Sequence, residues 1–484
     1  MIELRRQPFE FLSKESIQKI HCAALDILKN VGIRVFSSRA IEIFEENGLR
    51  VDKKERVVRF PPEVVETWIG KAPSQFVWHG RNPGRSLTLG GNFIVFSATS
   101  TVLYVYDMDT GERKRATFSD AQNFVRIIDA LDFIDESYCL VYPGDIPDSV
   151  AHVYIVLANA LHSSKPIRGR LNGTVIARDC IRMAEILARG EKELKSRPNI
   201  LSLANSVSPL QMDKSQADGL IEYAHRGLPV VIAALPFAGA TGPITLAGAL
   251  TLIDAENLSH IVLAQMVRPG APILYGTAAS PLDMRTGGAR FGAIEAGMLS
   301  SGVAQLARFY DVPSRGSAGC TDAKLPDMQA GYETALNLFL TILSGTNYIS
   351  YAAGGLESAL SVSYEKLIVD NEILGSICRA VEGIDVMPET IALDVIKEVG
   401  WGGNFLTESH TLRYLRKAIF HTQIADTQTY EAWKEQGAKD TRERAREKVK
   451  EILLKHQSEP LNEDMERDLR AYVAQVEKRE GVPA

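Results

Sequence analysis

Between residues 91 and 385, short β-branched or apolar runs alternate with stretches of helical periodicity, and this alternation limits the chain to few folds. The runs fall at 92–97, 138–142, 166–170, 199–204, 229–235, 272–276, 313–317 and 347–351. Helical spacing of apolar residues fills the gaps, as at 120–130, 150–161, 177–187, 246–267, 295–310 and 329–343. Several runs follow a breaker, such as Lys165-Pro166 or Pro269-Gly270-Ala271-Pro272. Strand alternating with helix calls for parallel pairing and right-handed crossovers. Eight such strands close into a cylinder, so the pattern predicts an α/β chain built as a (β/α)8 TIM barrel over 91–385. Residues 1–90, mainly helical with a strand-like patch at 76–78, are expected to cap one end. Residues 386–484 read as a helical extension.

Charge is unevenly spread. Residues 227–280 carry only Asp254, Glu256 and Arg268 as charged side chains, whereas the last 54 residues carry 25. The first window must be core on nearly every face, and the second a solvated helical tail or an interface arm. That tail suggests a homo-oligomer. The formal charge of −6 leaves no positive excess to displace counterions, which argues against nucleic acid as a partner. No run of about 20 uncharged apolar residues calls for a membrane, and Met1-Ile-Glu-Leu-Arg-Arg-Gln-Pro8 lacks the apolar centre of a signal peptide. Five scattered cysteines with no CxxC pair read as reduced thiols in a cytoplasmic protein.

Chemistry in this architecture gathers at the C-terminal strand ends. Those ends offer Tyr142, Asp145, Arg168, Arg170, Asn172, Asn205, Phe237, Tyr275, Arg315, Asp322, Tyr348, Tyr351 and Glu357, and none of the nine histidines. A histidine-based metal triad or a Ser-His-Asp relay is therefore not expected. Tyr142, Phe237, Tyr275, Tyr348 and Tyr351 could together box a ligand cation, with Phe96 and Phe291 nearby. Arg315 first, then Arg168 and Arg170, could hold a carboxylate by forked hydrogen bonds. A cation cage with a carboxylate clamp is the chemistry of a betaine. Each of these side chains could equally be packing or ion pairing. The glycine cluster Gly239-Ala-Thr241-Gly242-Pro243 is either a tight turn before a helix or a place where a large flat ligand or another protein approaches the backbone.

Several long stretches occur in an order that resembles the trimethylamine methyltransferase family. They include Gly239–Leu250, Val267–Gly276, Asp283–Gly287, Thr321–Gly331, Tyr364–Gly375 and 398–407. The resemblance implies a (β/α)8 methyltransferase that passes a methyl group from an amine to the Co(I) of a separate corrinoid (cobalamin-type) protein. Founding members carry pyrrolysine in the barrel mouth. Here every position is an ordinary amino acid, with residues 315–325 as the expected equivalent region. The chain is thus similar to the branch without pyrrolysine, whose members act on quaternary amines such as glycine betaine, proline betaine and carnitine. Under this reading Asp322, Asn205 and Asn172 orient the ligand or face the corrinoid, and Gly239, Thr241 and Gly242 receive it. A barrel lyase or decarboxylase acting on a small carboxylated substrate, or a non-catalytic betaine-binding protein, would use the same rim.

Overall fold

The computed structural model describes residues 1–482. Seven parallel strands form a curled sheet in the order Ile167–Arg168, Ile200–Asn205, Val230–Ala234, Ile273–Thr277, Ser314–Ser317, Tyr348–Ser350 and Phe93–Phe96. The expected eighth strand at 138–142 does not form. Its place is taken by residues 135–137, which touch both ends of the sheet. The Asp135 N–H donates to the Phe96 carbonyl (2.8 Å), and the Ser137 N–H donates to that of Pro166 (2.9 Å). Further on, Val141 makes only an isolated bridge to Val102.

Side chains alternate across these strands. Leu201, Val231, Ala233, Leu274 and Tyr348 point inward and pack with Trp78, while Ile200, Ile232, Ile273 and Tyr275 pack outward against the helices. Both faces are apolar because helices cover the sheet's outside. Six helices match their periodicity closely, Phe118–Ala130, Ala151–His162, Thr174–Ala188, Leu246–Val267, Ile294–Phe309 and Met328–Leu343, and Tyr364–Glu382 joins them. Phe118–Ala130 opens on a capping box in which Thr117 and Asp120 satisfy each other's backbone N–H groups.

Leu246–Val267 is long and apolar enough to cross a bilayer by composition, yet it is a buried helix of the core. Its polar residues are spent internally. Asn257 accepts from the Ala234 N–H (3.0 Å) and donates to the Gly276 carbonyl (2.8 Å), pinning two neighbouring strands. Asp254 accepts from the hydroxyls of Tyr275 (2.6 Å) and Tyr310 (2.9 Å), and burial pushes its carboxyl up to about 7. Tyr310 also meets His21 Nδ1 at 2.8 Å, which ties the N-terminal helix Lys14–Asn30 to the core.

The N-terminal helices lie along the outer helices, with Lys14–Asn30 and Pro62–Ile69 both packed on Leu246–Val267. The hairpin Gln75–Trp78 and Leu87–Gly90 extends the sheet beside Phe93–Phe96 and sends Trp78 into its interior. The charged tail wraps the flank. Thr441–Lys455 packs on Tyr364–Glu382, and Glu463–Glu480 packs on Ala151–His162 and Thr174–Ala188.

Candidate active site

At the C-terminal ends of the strands lies a cavity of about 220 Å³, lined in part by Tyr138, Arg168, Arg170, Asn172, Asn205, Phe291, Arg315 and Tyr351. Arg315 sits in register between Gly276 and Tyr348, and its side chain turns inward because a Cβ on Gly276 would stand 2.9 Å from its own Cβ. Without that glycine there would be no room for it.

Arg315 is 1% exposed. One of its terminal nitrogens donates to the Thr277 carbonyl, its Nε has no partner, and no carboxylate lies within ion-pair distance among the described residues. Burial draws its guanidinium down to about 10. Arg168 is buried beside it, with Nε and Nη2 also unsatisfied. Its guanidinium lies 4.0 Å over the Tyr138 ring and 3.6 Å from Glu136. Burial opposes the charge on Arg168 more than any single neighbour favours it, but Glu136 together with Tyr348, Tyr138 and Tyr351 raises the guanidinium above its ordinary value. Glu136 in turn accepts from the Ser97 hydroxyl and keeps one oxygen unpaired.

Glu136 is the group that the reading of strand ends passes over. A carboxylate just before an apolar run looks like solvated loop, and the run was expected to begin at Tyr138. The pair Asp135-Glu136, placed directly before a strand-like run with a tyrosine, was the available signal.

The aromatic wall differs from the expected box. Tyr351 lines the cavity and stacks with Phe291 at 6.4 Å, and Phe291 in turn meets Phe237 edge-on at 6.4 Å. Tyr142 stands to one side, 5.1 Å from the Arg170 guanidinium. Tyr275 is not at the site, because its position in the strand alternation points it outward to Asp254. Tyr348 is buried with Trp78 below the cavity, its hydroxyl unpaired.

The remaining candidates act on loops. Asp322 accepts from the Gly292 N–H (3.1 Å) and the Ser358 hydroxyl (2.7 Å), which fixes the backbone next to Phe291. Thr241 accepts from the Phe237 N–H (2.8 Å), and Gly239 takes φ +100 within the same turn. The glycine cluster thus builds a tight turn that presents Phe237, and it leaves Ile244 and Met284 exposed at the rim. The strand-end carboxylates Asp145 and Glu357 are spent elsewhere. Asp145 accepts from the Phe118 N–H, and Glu357 holds Arg113 and Tyr106.

The profile described as trimethylamine methyltransferase matches residues 1–481. The chain belongs to that family. It is 36% identical over 474 residues to the glycine betaine methyltransferase of Desulfitobacterium hafniense (strain Y51), covering 98% of each protein. It is 38% identical over 470 residues to a trimethylamine methyltransferase of Desulfitobacterium hafniense (strain DSM 10664 / DCB-2), covering 97% of this chain and 94% of the other. Among solved structures, the monomethylamine methyltransferase of Methanosarcina barkeri aligns with 98% of this chain and 90% of its own, at 13% identity and a TM-score of 0.49. The protein is a methyltransferase.

Proposed function

We propose that the protein removes a methyl group from a carboxylated quaternary amine of the glycine betaine type and passes it to the Co(I) of a partner corrinoid protein. The observation that carries this reading is the pair of buried guanidiniums. Arg168 and Arg315 both line one small cavity and leave three buried donor nitrogens without partners, and the one carboxylate within ion-pair distance of either is Glu136, 3.6 Å from Arg168. A buried charge of this kind costs several kcal/mol unless a counter-ion completes it. A substrate carboxylate would do so, and a bare trimethylammonium ion would instead meet like charge. Phe291 and Tyr351, which line the cavity with Phe237 packed behind Phe291, would then meet the ammonium end.

Methyl transfer from such a centre needs no proton. The carbon–nitrogen bond breaks with its electron pair remaining on nitrogen, and the acceptor supplies the pair for the new bond. The chain's own task is to hold the methyl in line with the mouth and exclude water. The cavity lining, which contains no imidazole, suits that task. A corrinoid protein would approach over the rim bearing Ile244 and Met284. We also read the sheet as closing into an eight-membered (β/α)8 cylinder through residues 135–137, since these bond to both of its ends. The test is spectroscopic: the protein is mixed with a Co(I) corrinoid protein and glycine betaine, proline betaine, carnitine or trimethylamine. Formation of methyl-Co(III) with a betaine and not with trimethylamine is expected. No methylation from any quaternary amine would remove this reading.

A further inference from the structure

After the helix Tyr364–Glu382 the chain makes an excursion that buries nothing. No residue from 382 to 423 is buried, although this stretch forms the helices Pro388–Ile391, Leu393–Val399 and Ser409–Ala418. It is anchored at both ends. Gly383 packs on Arg6, Arg379 donates to the Ala418 carbonyl, and Phe420 meets Phe133 before Ile424 re-enters the core. Between those anchors, large apolar side chains stand exposed among charged ones: Trp401 at 106%, Leu406 at 80% and Leu412 at 68%, with Ile384, Phe405 and Ile419 alongside. A monomer in water rarely leaves so many large apolar side chains uncovered within one short stretch.

The neighbouring helix Met328–Leu343 shows a second uncovered strip. Met328, Tyr332, Leu336 and Phe339 recur at helical spacing on its outer face and are all exposed, while Ala330, Thr334, Leu338 and Ile342 face the core. This helix packs on Tyr364–Glu382, from whose end the excursion departs, so both apolar surfaces belong to one flank. The chain's own arm does not cover its own strip.

We propose that the arm at 384–419 lies on the Met328–Leu343 strip of a second copy of this chain. Two considerations choose that occupant. The first is position. Tyr364–Glu382 runs from the cavity end of the sheet to the opposite end, where Gly383 meets Arg6 close to the start of the strand Phe93–Phe96. A partner that collects a methyl group at the mouth does not cover an arm leaving from the other end. The second is size. A large apolar side chain contributes roughly 100–250 Å². The exposed set on the arm therefore reaches the ~800 Å² per partner that a stable pair requires. Reciprocal exchange, arm onto strip and strip under arm, doubles this in a two-fold pair.

The full-length chain at micromolar concentration is expected to sediment as a dimer or a multiple of one. Leu406→Asp with Leu412→Asp on the arm, and separately Tyr332→Asp with Leu336→Asp on the strip, are each expected to release monomers with unchanged far-UV circular dichroism. Should an aspartate variant misfold, cysteine pairing decides instead. Leu406→Cys and Leu336→Cys chains, both carrying Cys22→Ser, are mixed and oxidised. Cross-linked pairs holding one chain of each kind support the proposal. A monomeric parent overturns it, as does a dimer that survives both aspartate pairs or a mixture that never cross-links.

Discussion

A guanidinium shut away from water must find an anion or lose its charge, and Arg315 does neither within its own chain. Its exchange for Met tests what it waits for. Charge-assisted hydrogen bonds contribute about 1.5–3 kcal/mol, so Arg315→Met should weaken betaine binding roughly 10- to 100-fold in calorimetry. Arg315→Lys should recover only part, because an ammonium cannot fork onto a carboxylate. Glu136 belongs at the same scale. It was hidden in the sequence because a lone carboxylate at the edge of an apolar run carries no period, whereas the arginines stand inside runs whose ends could be read. Asp254 offers a second residue-scale prediction. Its folded value near 7 lies above the ordinary carboxylate value, so it favours the protonated folded state. The contribution is fully present below about pH 4 and is lost as pH rises through 7. At about 1.4 kcal/mol per unit it amounts to something on the order of 4 kcal/mol. Asp254→Asn should flatten the dependence of thermal stability on pH between 4 and 7, measured against the parent by calorimetric melting.

At the scale of elements, the strand Ile273–Thr277 shows why some site residues were legible and others were not. Its existence follows from a bounded apolar run, but its parity does not. With helices outside and packed side chains inside, both faces are apolar, and a shift of one residue exchanges Tyr275 with Leu274. The run alone therefore places Tyr275 at the mouth, and Gly276, which makes room for Arg315, carries no signal of its own. Gly276→Ala should therefore behave as a site mutation although it adds one methyl. The new Cβ would press on Arg315 and the Ile232 carbonyl. Overpacking of this kind costs about 1–3 kcal/mol, and betaine affinity should fall along with the melting temperature. An unchanged affinity would show that the guanidinium position is not set by this contact. The missing strand at 138–142 has a related cause. Its apolar run is real, but the backbone bonds that join the sheet's two ends come from the polar residues just before it, Asp135 and Ser137.

Across the whole molecule, the last helix is a clamp whose charge pattern reads as solvated surface until its one-sided apolar face is paired. Glu463–Glu480 buries Leu469, Val473 and Val476 against the flank, and it is locked at Asp179. Asp179 accepts from Arg479 (2.6 and 2.9 Å), Tyr472 (2.8 Å) and His152 (2.8 Å), and these donors hold its carboxyl far below the usual range despite burial. Arg479→Met removes the two charged donors and leaves a buried carboxylate with neutral company. The loss should be about 1–3 kcal/mol, and it should be local. The cavity lies at the mouth, built from strand ends and loops that the last helix does not reach. The variant should thus bind betaine normally, while hydrogen exchange quickens along 463–480 and protease cuts within it. Slower exchange elsewhere is not expected. If betaine affinity fell in step with the loosened helix, the flank and the site would be one cooperative unit rather than a scaffold with a separately held clamp.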